Sequence, residues 1–249
     1  MPIINSTYGS PGRFGNQFFH NIAAHIIARK EDLKFVYQDY ERMRRLGIDL
    51  FIDGKNTFPE SDTVYLDDSN FMEFIKHPFL CSKNIILDSY KQTREFCLFL
   101  REYFYQNRLF EQIIAKNKHH IRYQQNNDVY LHVRLGDKMD SIGIGVPGFD
   151  YYDAALTRIG SFKTGYISSD SINHPICQQL IAKYGLRPYN SNEIDTIFFA
   201  STCSTIILST GTFSWLIGFL AQFSSVYYPK ITHPWHGDIF VFDDWIEIA

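Results

Sequence analysis

The stretch from Val129 to Lys138 constrains this chain more than any other. Val129-Tyr130-Leu131-His132-Val133 is a short, mostly apolar and β-branched run after Asp128, which predicts a buried strand. The strand ends in His132-x-Arg134-x-Gly136-Asp137, so an imidazole, a guanidinium and a carboxylate arrive at one spot. In an open α/β sheet that spot is the crevice beyond the carboxyl ends of the strands, where ligands bind. Arginine suits a phosphate there, because its planar fork stays charged and donates two parallel hydrogen bonds. A strand-end ion pair between Arg134 and Asp137 fits the same residues.

At 249 residues the chain is long enough for one large domain or two modest ones, and 45% hydrophobic content is ordinary for a globular core. A net charge of -3 supplies no basic face for nucleic acid. Cys81, Cys97, Cys177 and Cys203 lie far apart without a Cys-x-x-Cys, which reads as reduced thiols in a cytosol-like compartment, although a disulfide pair is open. The start, Met1-Pro2-Ile3-Ile4-Asn5, lacks the basic and apolar regions of a signal peptide. The longest apolar stretch, Phe213 to Phe223, is far shorter than the roughly 20 residues of a membrane span. A soluble, cytoplasmic protein is the expectation.

A short strand at Ile3-Ile4 runs into Gly9, Gly12 and Gly15, and then into a helix carrying Phe18, Phe19, Ile22, Ala23, Ile26 and Ile27 at helical spacing. Glycines before a helix start let backbone N–H groups approach an anion, and they equally make a plain turn. No Gly-Lys-Ser/Thr follows, so this is not a P-loop. Strand-like pieces at Lys34–Tyr37, Thr63–Leu66 and Asn84–Leu87 alternate with mixed segments and predict a small parallel α/β layer. Asp67-Asp68 is not an Asp-x-Asp, and no such motif occurs in the chain. No metal site is expected.

Thr93 to Ile121 reads as one long helix, with Phe96, Leu100, Tyr103, Phe104, Phe110, Ile113 and Ile114 inward. The polar run Arg122 to Asp128 is the expected boundary between an N-terminal α/β domain, 1–125, and a C-terminal Rossmann-like domain, 126–249. Gly143-Ile144-Gly145-Val146-Pro147-Gly148 matches Gly-x-Gly-x-x-Gly only formally, because Pro147 and the preceding polar residues spoil the context; it reads as a loop over a site. The βα rhythm then continues: a helix from Asp150 through Ile159, a strand at Gly165–Ser168 ending in Ser169-Asp170, and a helix at His174–Lys183. A helix at Glu193–Ala200, a strand at Thr205–Leu208, a hydroxyl-rich Ser209–Ser214 segment opening a helix, and a last strand at Ser225–Tyr228 complete it. Three strand ends thus present Arg134, Asp170 and the Ser209–Ser214 segment at one edge. Each piece alone fits a helix cap, with Asp170, Thr212 and Ser214 as candidates; their recurrence at one edge points to a nucleotide.

These motifs, in this order, resemble glycosyltransferase family 11, the α-1,2-fucosyltransferases, within the wider superfamily of GDP-fucose-dependent enzymes. Gly12-Arg13-Phe14-Gly15-Asn16-Gln17 is similar to the family's Gly-x-x-Gly-Asn-Gln signature, and Leu87-Asp88-Ser89-Tyr90-Lys91-Gln92-Thr93-Arg94-Glu95-Phe96 to its Gly-Tyr-x-Gln-Ser-Glu segment. His132 to Asp137 resembles His-x-Arg-Arg-Gly-Asp, Asp150-Tyr151-Tyr152 the Asp-Tyr-Tyr that follows, and Ser169-Asp170, Thr212-Phe213-Ser214-Trp215 and Asp244-Trp245-Ile246 its later elements. The resemblance implies a GT-B-like α/β fold, two Rossmann-like βα halves facing a central cleft, with the nucleotide held by the C-terminal half. It implies an inverting, metal-independent transfer of fucose from GDP-fucose to a glycan hydroxyl in α-1,2 linkage, with the GDP-sugar as substrate and no cofactor.

Carried over by position, Arg134 clamps the β-phosphate, His132 and Asp170 meet the guanosine, and Thr212, Phe213 and Ser214 with Ser169, Gly12 and Gly15 complete the GDP-sugar contacts. Arg13 and Asn16 stand near the transferred sugar, and Asp137 leads His20 and Asp150 as candidate general base. The chain departs from the family at Leu135, in place of the second arginine, at Gly211, where serine is common, and at Ser89, where glycine is usual. Another GDP-deoxysugar such as GDP-rhamnose, or a nucleotide-binding module without transfer activity, accommodates those departures.

Overall fold

The protein is described by a computed structural model covering residues 4–5, 13–35, 37, 40–56, 58–59, 61–77, 83–136, 145–230 and 238–248. It divides into two compact units, Met1–Gln112 and Ile113–Ala249, so the division lies ahead of the 125/126 boundary expected from the polar run.

In the first unit β1 (Ile4–Asn5), β2 (Thr63–Leu66) and β3 (Asn84–Leu87) form a parallel sheet in the order β1-β3-β2. α1 (Phe14–Glu31) is buried almost all round rather than along one stripe: Gln17, His20, Asn21 and His25 are inside with the apolar set. A helix buried on every side must satisfy its polar side chains internally. His25 does so, since its Nδ1 accepts from Phe51 N–H at 2.9 Å while Nε2 meets the Tyr103 hydroxyl at 3.1 Å. Burial lowers its pKa to about 4, so it is a neutral bridge. α2 (Tyr40–Leu46) and α3 (Phe71–Lys76) fill out the layer. Of the expected strand at Lys34–Tyr37, Val36 lies outside the described residues; Phe35 sits in a β-bridge, and Leu33 makes an isolated parallel bridge to Asn56.

The long helix expected from Thr93 to Ile121 is broken. α4 (Arg94–Gln106) starts at Thr93, whose hydroxyl accepts from Phe96 N–H, and α5 (Leu109–Lys116) follows a kink. The break falls at Asn107, the C-cap of α4: its backbone N–H and its side-chain amide both donate to the Tyr103 carbonyl, at 3.0 and 2.9 Å, and Arg108 then turns left-handed at φ 56°. The apolar periodicity runs through the kink because Phe110 folds back onto Phe104, with ring centroids 5.1 Å apart.

The second unit is built on six parallel strands: β4 (Asp128–Val133), β5 (Thr164–Ser169), β6 (Arg187–Pro188), β7 (Thr205–Ile207), β8 (Ser225–Pro229) and β9 (Ile246–Ile248). Their order is β6-β5-β4-β7-β8-β9. Counted from β4 this is 3-2-1-4-5-6, the order of the doubly wound dinucleotide-binding sheet, whose switch point lies between the first and fourth strands, here β4 and β7. Every residue of β4 is buried, as a central parallel strand requires. Val129, Leu131 and Val133 pack with α6 (Phe149–Ile159) and α7 (Pro175–Tyr184) through Tyr152, Leu156, Cys177 and Leu180. On the other face Tyr130 meets Phe199 of α8 (Glu193–Ala200). β6 and β9, two and three residues long, carry too little pattern to be read from sequence.

The polar run 122–128 is anchored in this unit. Arg122 pairs with the buried Asp128 carboxylate at 2.8 Å, donates to Thr202 Oγ1 at 3.0 Å and lies over the Phe199 ring, while Asn126 donates to the Thr202 carbonyl. At the far end the tail packs on α9 (Thr212–Phe219): Trp215 is fully buried, stacks on Phe219 at 4.7 Å, and donates from its indole N–H to the Ile239 carbonyl at 2.6 Å. No helix among the described residues is long and apolar enough to cross a membrane.

Candidate functional site

Three strand ends converge at the β4/β7 switch point. Leaving β4, the chain presents the half-buried Arg134, whose guanidinium lies against the loop between β7 and α9 so closely that a Cβ on Gly211 would sit 2.1 Å from Nη1. Gly211 has φ 97° and ψ 162°, a conformation essentially restricted to glycine, and it is the N-cap of α9. A residue with a side chain is disfavoured here by the backbone, and its Cβ would also require Arg134 to shift. The first intrahelical bond of α9 runs from Trp215 N–H to the Gly211 carbonyl at 3.0 Å, so the first-turn N–H groups and the positive end of the helix dipole face the Arg134 side.

Asp170, at the end of β5, is exposed but committed to the neighbouring loop. Its Oδ1 accepts from Leu135 N–H at 2.9 Å and from Gly136 N–H at 3.0 Å. It is not the N-cap of α7; His174 is, with Nδ1 accepting from Ile176 N–H. Beyond Asp170 opens a cleft of about 580 Å³ lined by Ser169, Asp170, Ser171, Asn173, His174 and Asn190, among others. That volume is within the range of small-molecule sites. Cleft, Asp170, the 135–136 loop, Arg134 and the α9 N-terminus follow one another along the carboxyl edge of the sheet.

The other expected residues of this unit lie in the same place. His132 is buried and its ring meets Phe213 edge-on at 5.3 Å. Thr212 is buried at the start of α9, and Ser214 Oγ accepts from Ser209 N–H at 2.7 Å, which fixes the β7–α9 turn. Tyr151 braces that turn from α6, its hydroxyl donating to the Leu208 carbonyl at 2.7 Å. Tyr152 is fully buried in the core beside it, and its phenol pKa is driven up by desolvation. Leu135 is also fully buried, within the core of this unit. The position set against the resembled family's second arginine is thus part of the apolar packing in this chain. Gly12 and Asp137 lie outside the described residues.

Arg13, Gly15 and Asn16 belong to the first unit. Arg13 is exposed at the N-cap of α1, its carbonyl accepting from Asn16 and Gln17 N–H, and Gly15 is buried in the first turn. Asn16 Oδ1 accepts from Gln92 Nε2 at 3.1 Å, so two motifs far apart in the chain meet here. Beside them His20 and Lys91 are buried. Desolvation first, and then the Lys91 charge, lowers the His20 pKa to about 3. An imidazole that weakly basic is poorly matched to general-base work near neutrality.

Lys91 was not singled out by the sequence and is fully buried, at φ 58°, with Nζ donating to the Ser89 carbonyl at 3.0 Å. Burial lowers its pKa from 10.5 to about 8, against the opposing pull of Asp68, Asp88 and Asp67. Between these two values the unfolded chain holds a proton that the folded chain has released. Stability therefore rises with pH across that window, by about 3 kcal/mol at most, and the burial penalty is fully present below pH 8. Denaturant unfolding at pH 7 and pH 10 checks this: wild type is expected to gain relative to Lys91→Met, and parallel pH dependences in the two proteins would refute it.

Scanned against models of known protein families, the chain matches none, and a search of curated proteins finds no match. Among the described residues no group of three or more His, Cys, Asp or Glu side chains could hold a metal ion.

Proposed function

We propose that this protein is an inverting glycosyltransferase that moves fucose from GDP-fucose to a glycan hydroxyl without a metal, in a GT-B-like arrangement whose C-terminal half holds the donor. The observation that carries this reading is Arg134 seated at the β4/β7 switch point against the glycine N-cap of α9, next to a cleft large enough for a nucleoside. A guanidinium and a helix N-terminus together make a diphosphate site, and the strand order supplies the crevice. The sugar and the linkage rest on the motif resemblance.

In the reaction the acceptor oxygen forms its bond to the anomeric carbon as the bond from that carbon to the β-phosphate oxygen breaks, and the configuration inverts. Negative charge grows on the departing GDP, where Arg134 and the α9 N–H groups stabilise it more in the transition state than in the ground state. The acceptor proton passes to a general base, assigned to Asp137. Asp137→Asn is expected to lower turnover while leaving GDP affinity intact; wild-type turnover in that variant would move the base elsewhere.

The test of the class is calorimetric titration of GDP, UDP and ADP in the presence of EDTA. GDP-selective binding is expected, followed by release of GDP from GDP-fucose on addition of a glycan acceptor. Absence of any nucleotide binding would overturn the reading. Binding without slow hydrolysis or transfer would leave a nucleotide-binding module.

A further inference from the structure

Asp170 has the carboxylate that a guanine edge or a ribose would use, and the motif resemblance implies that role. Its geometry serves a different one. Its Oδ1 accepts from the backbone N–H groups of Leu135 and Gly136, the residues directly after Arg134. Oδ2 also faces that loop, because a Cβ on Gly136 would stand 2.3 Å from it. Gly136 has no left-handed backbone, so a side chain there would be met by the carboxylate, which would have to shift. Leu135 is itself anchored in the core, so the carboxylate adds a second, polar hold on the residues directly after Arg134.

Resting on the nucleotide reading above, we propose that Asp170 is a positioning residue: it latches the backbone of Leu135 and Gly136 and so aims Arg134 at the diphosphate. Reading of the base then falls to the cleft beyond it, where the side-chain amides of Asn173 and Asn190 offer both donors and acceptors. Charge-assisted hydrogen bonds to backbone N–H groups are strong enough to fix a short loop. Arg134, held against the Gly211 backbone on its other side, is then set from two strands at once.

The experiment compares wild type with Asp170→Ala, Asp170→Asn and Gly136→Ala by two readouts. The first is the ¹⁵N–¹H spectrum, following the amides of Leu135 and Gly136 and the Nε–H of Arg134. The latch predicts that Asp170→Ala and Gly136→Ala shift all three signals, and that Asp170→Asn shifts them less, because its amide oxygen still accepts. An Arg134 Nε–H unmoved by Asp170→Ala would overturn positioning.

The second readout is binding of GDP, IDP and guanosine. In Asp170→Ala, GDP affinity is expected to fall about tenfold, the loss of hydrogen bonds to a charged group. Guanosine affinity and the GDP to IDP ratio should stay at the wild-type level, and Asp170→Asn should recover part of the GDP affinity. Collapse of the GDP to IDP ratio, or loss of guanosine binding, would make Asp170 the base reader and overturn the proposal. If wild type binds no nucleotide, the function proposed above fails, and the Arg134 signal alone decides the latch.

Discussion

Under the proposed function, Arg134→Ala is expected to reduce transfer from GDP-fucose by about 10²–10³-fold, the usual cost of removing one preorganised donor from a site of developing charge. Arg134 is only half-buried and lies at the edge of the sheet, so the fold itself should tolerate its loss. Arg134→Lys separates charge from geometry. A lysine keeps the positive charge but loses the planar fork, and it should recover only part of the rate. Steady-state kinetics with GDP-fucose, alongside calorimetry with GDP, make the measurement. An alanine variant within a few-fold of wild type in both would show that the guanidinium does not hold the diphosphate.

Gly211→Ala should have a comparable effect by an indirect route. Its backbone conformation costs a residue with a side chain about 1–3 kcal/mol, and the new methyl would occupy the place of Arg134 Nη1. Either the turn relaxes or the guanidinium moves, and each misplaces the clamp relative to α9. GDP affinity is expected to drop in the single variant and to fall little further when Arg134→Ala is added, because both changes disable one unit. Additive losses would mean that Gly211 serves the fold and not the arginine. Gly211→Ser, which installs the residue common in the resembled family, should behave as the alanine does.

Much of the second unit is legible in the sequence because apolar, β-branched runs alternate with helical stretches between turn residues. The strand before Arg134, the helix at Glu193–Ala200 and the strand starting at Thr205 follow from burial pattern and turn chemistry alone. Their meeting at one edge follows from the βα alternation. That β7 lies beside β4, which puts Gly211 against Arg134, does not follow, because strand order is a property of long-range pairing that no local pattern encodes. Asp170 illustrates the same limit. Its place at the end of β5 can be read, but its two backbone partners, 34 and 35 residues earlier in the chain, cannot. In the first unit the break at Asn107 escapes detection because a helical stripe persists across it, and Lys91 escapes because nothing about a lysine in a polar loop announces full burial.

The tryptophans have a practical consequence. Trp215, Trp235 and Trp245 all fall within the second unit by position, and Trp215 is sealed between α9 and the tail directly after the residues that would meet phosphate. Intrinsic emission excited at the red edge of the protein band therefore reports on the second unit alone, and the first unit is silent at that wavelength. Unfolding of the two halves can be separated in the intact, unlabelled chain by following emission and far-ultraviolet dichroism side by side, and a ligand that enters beside α9 carries its own signal.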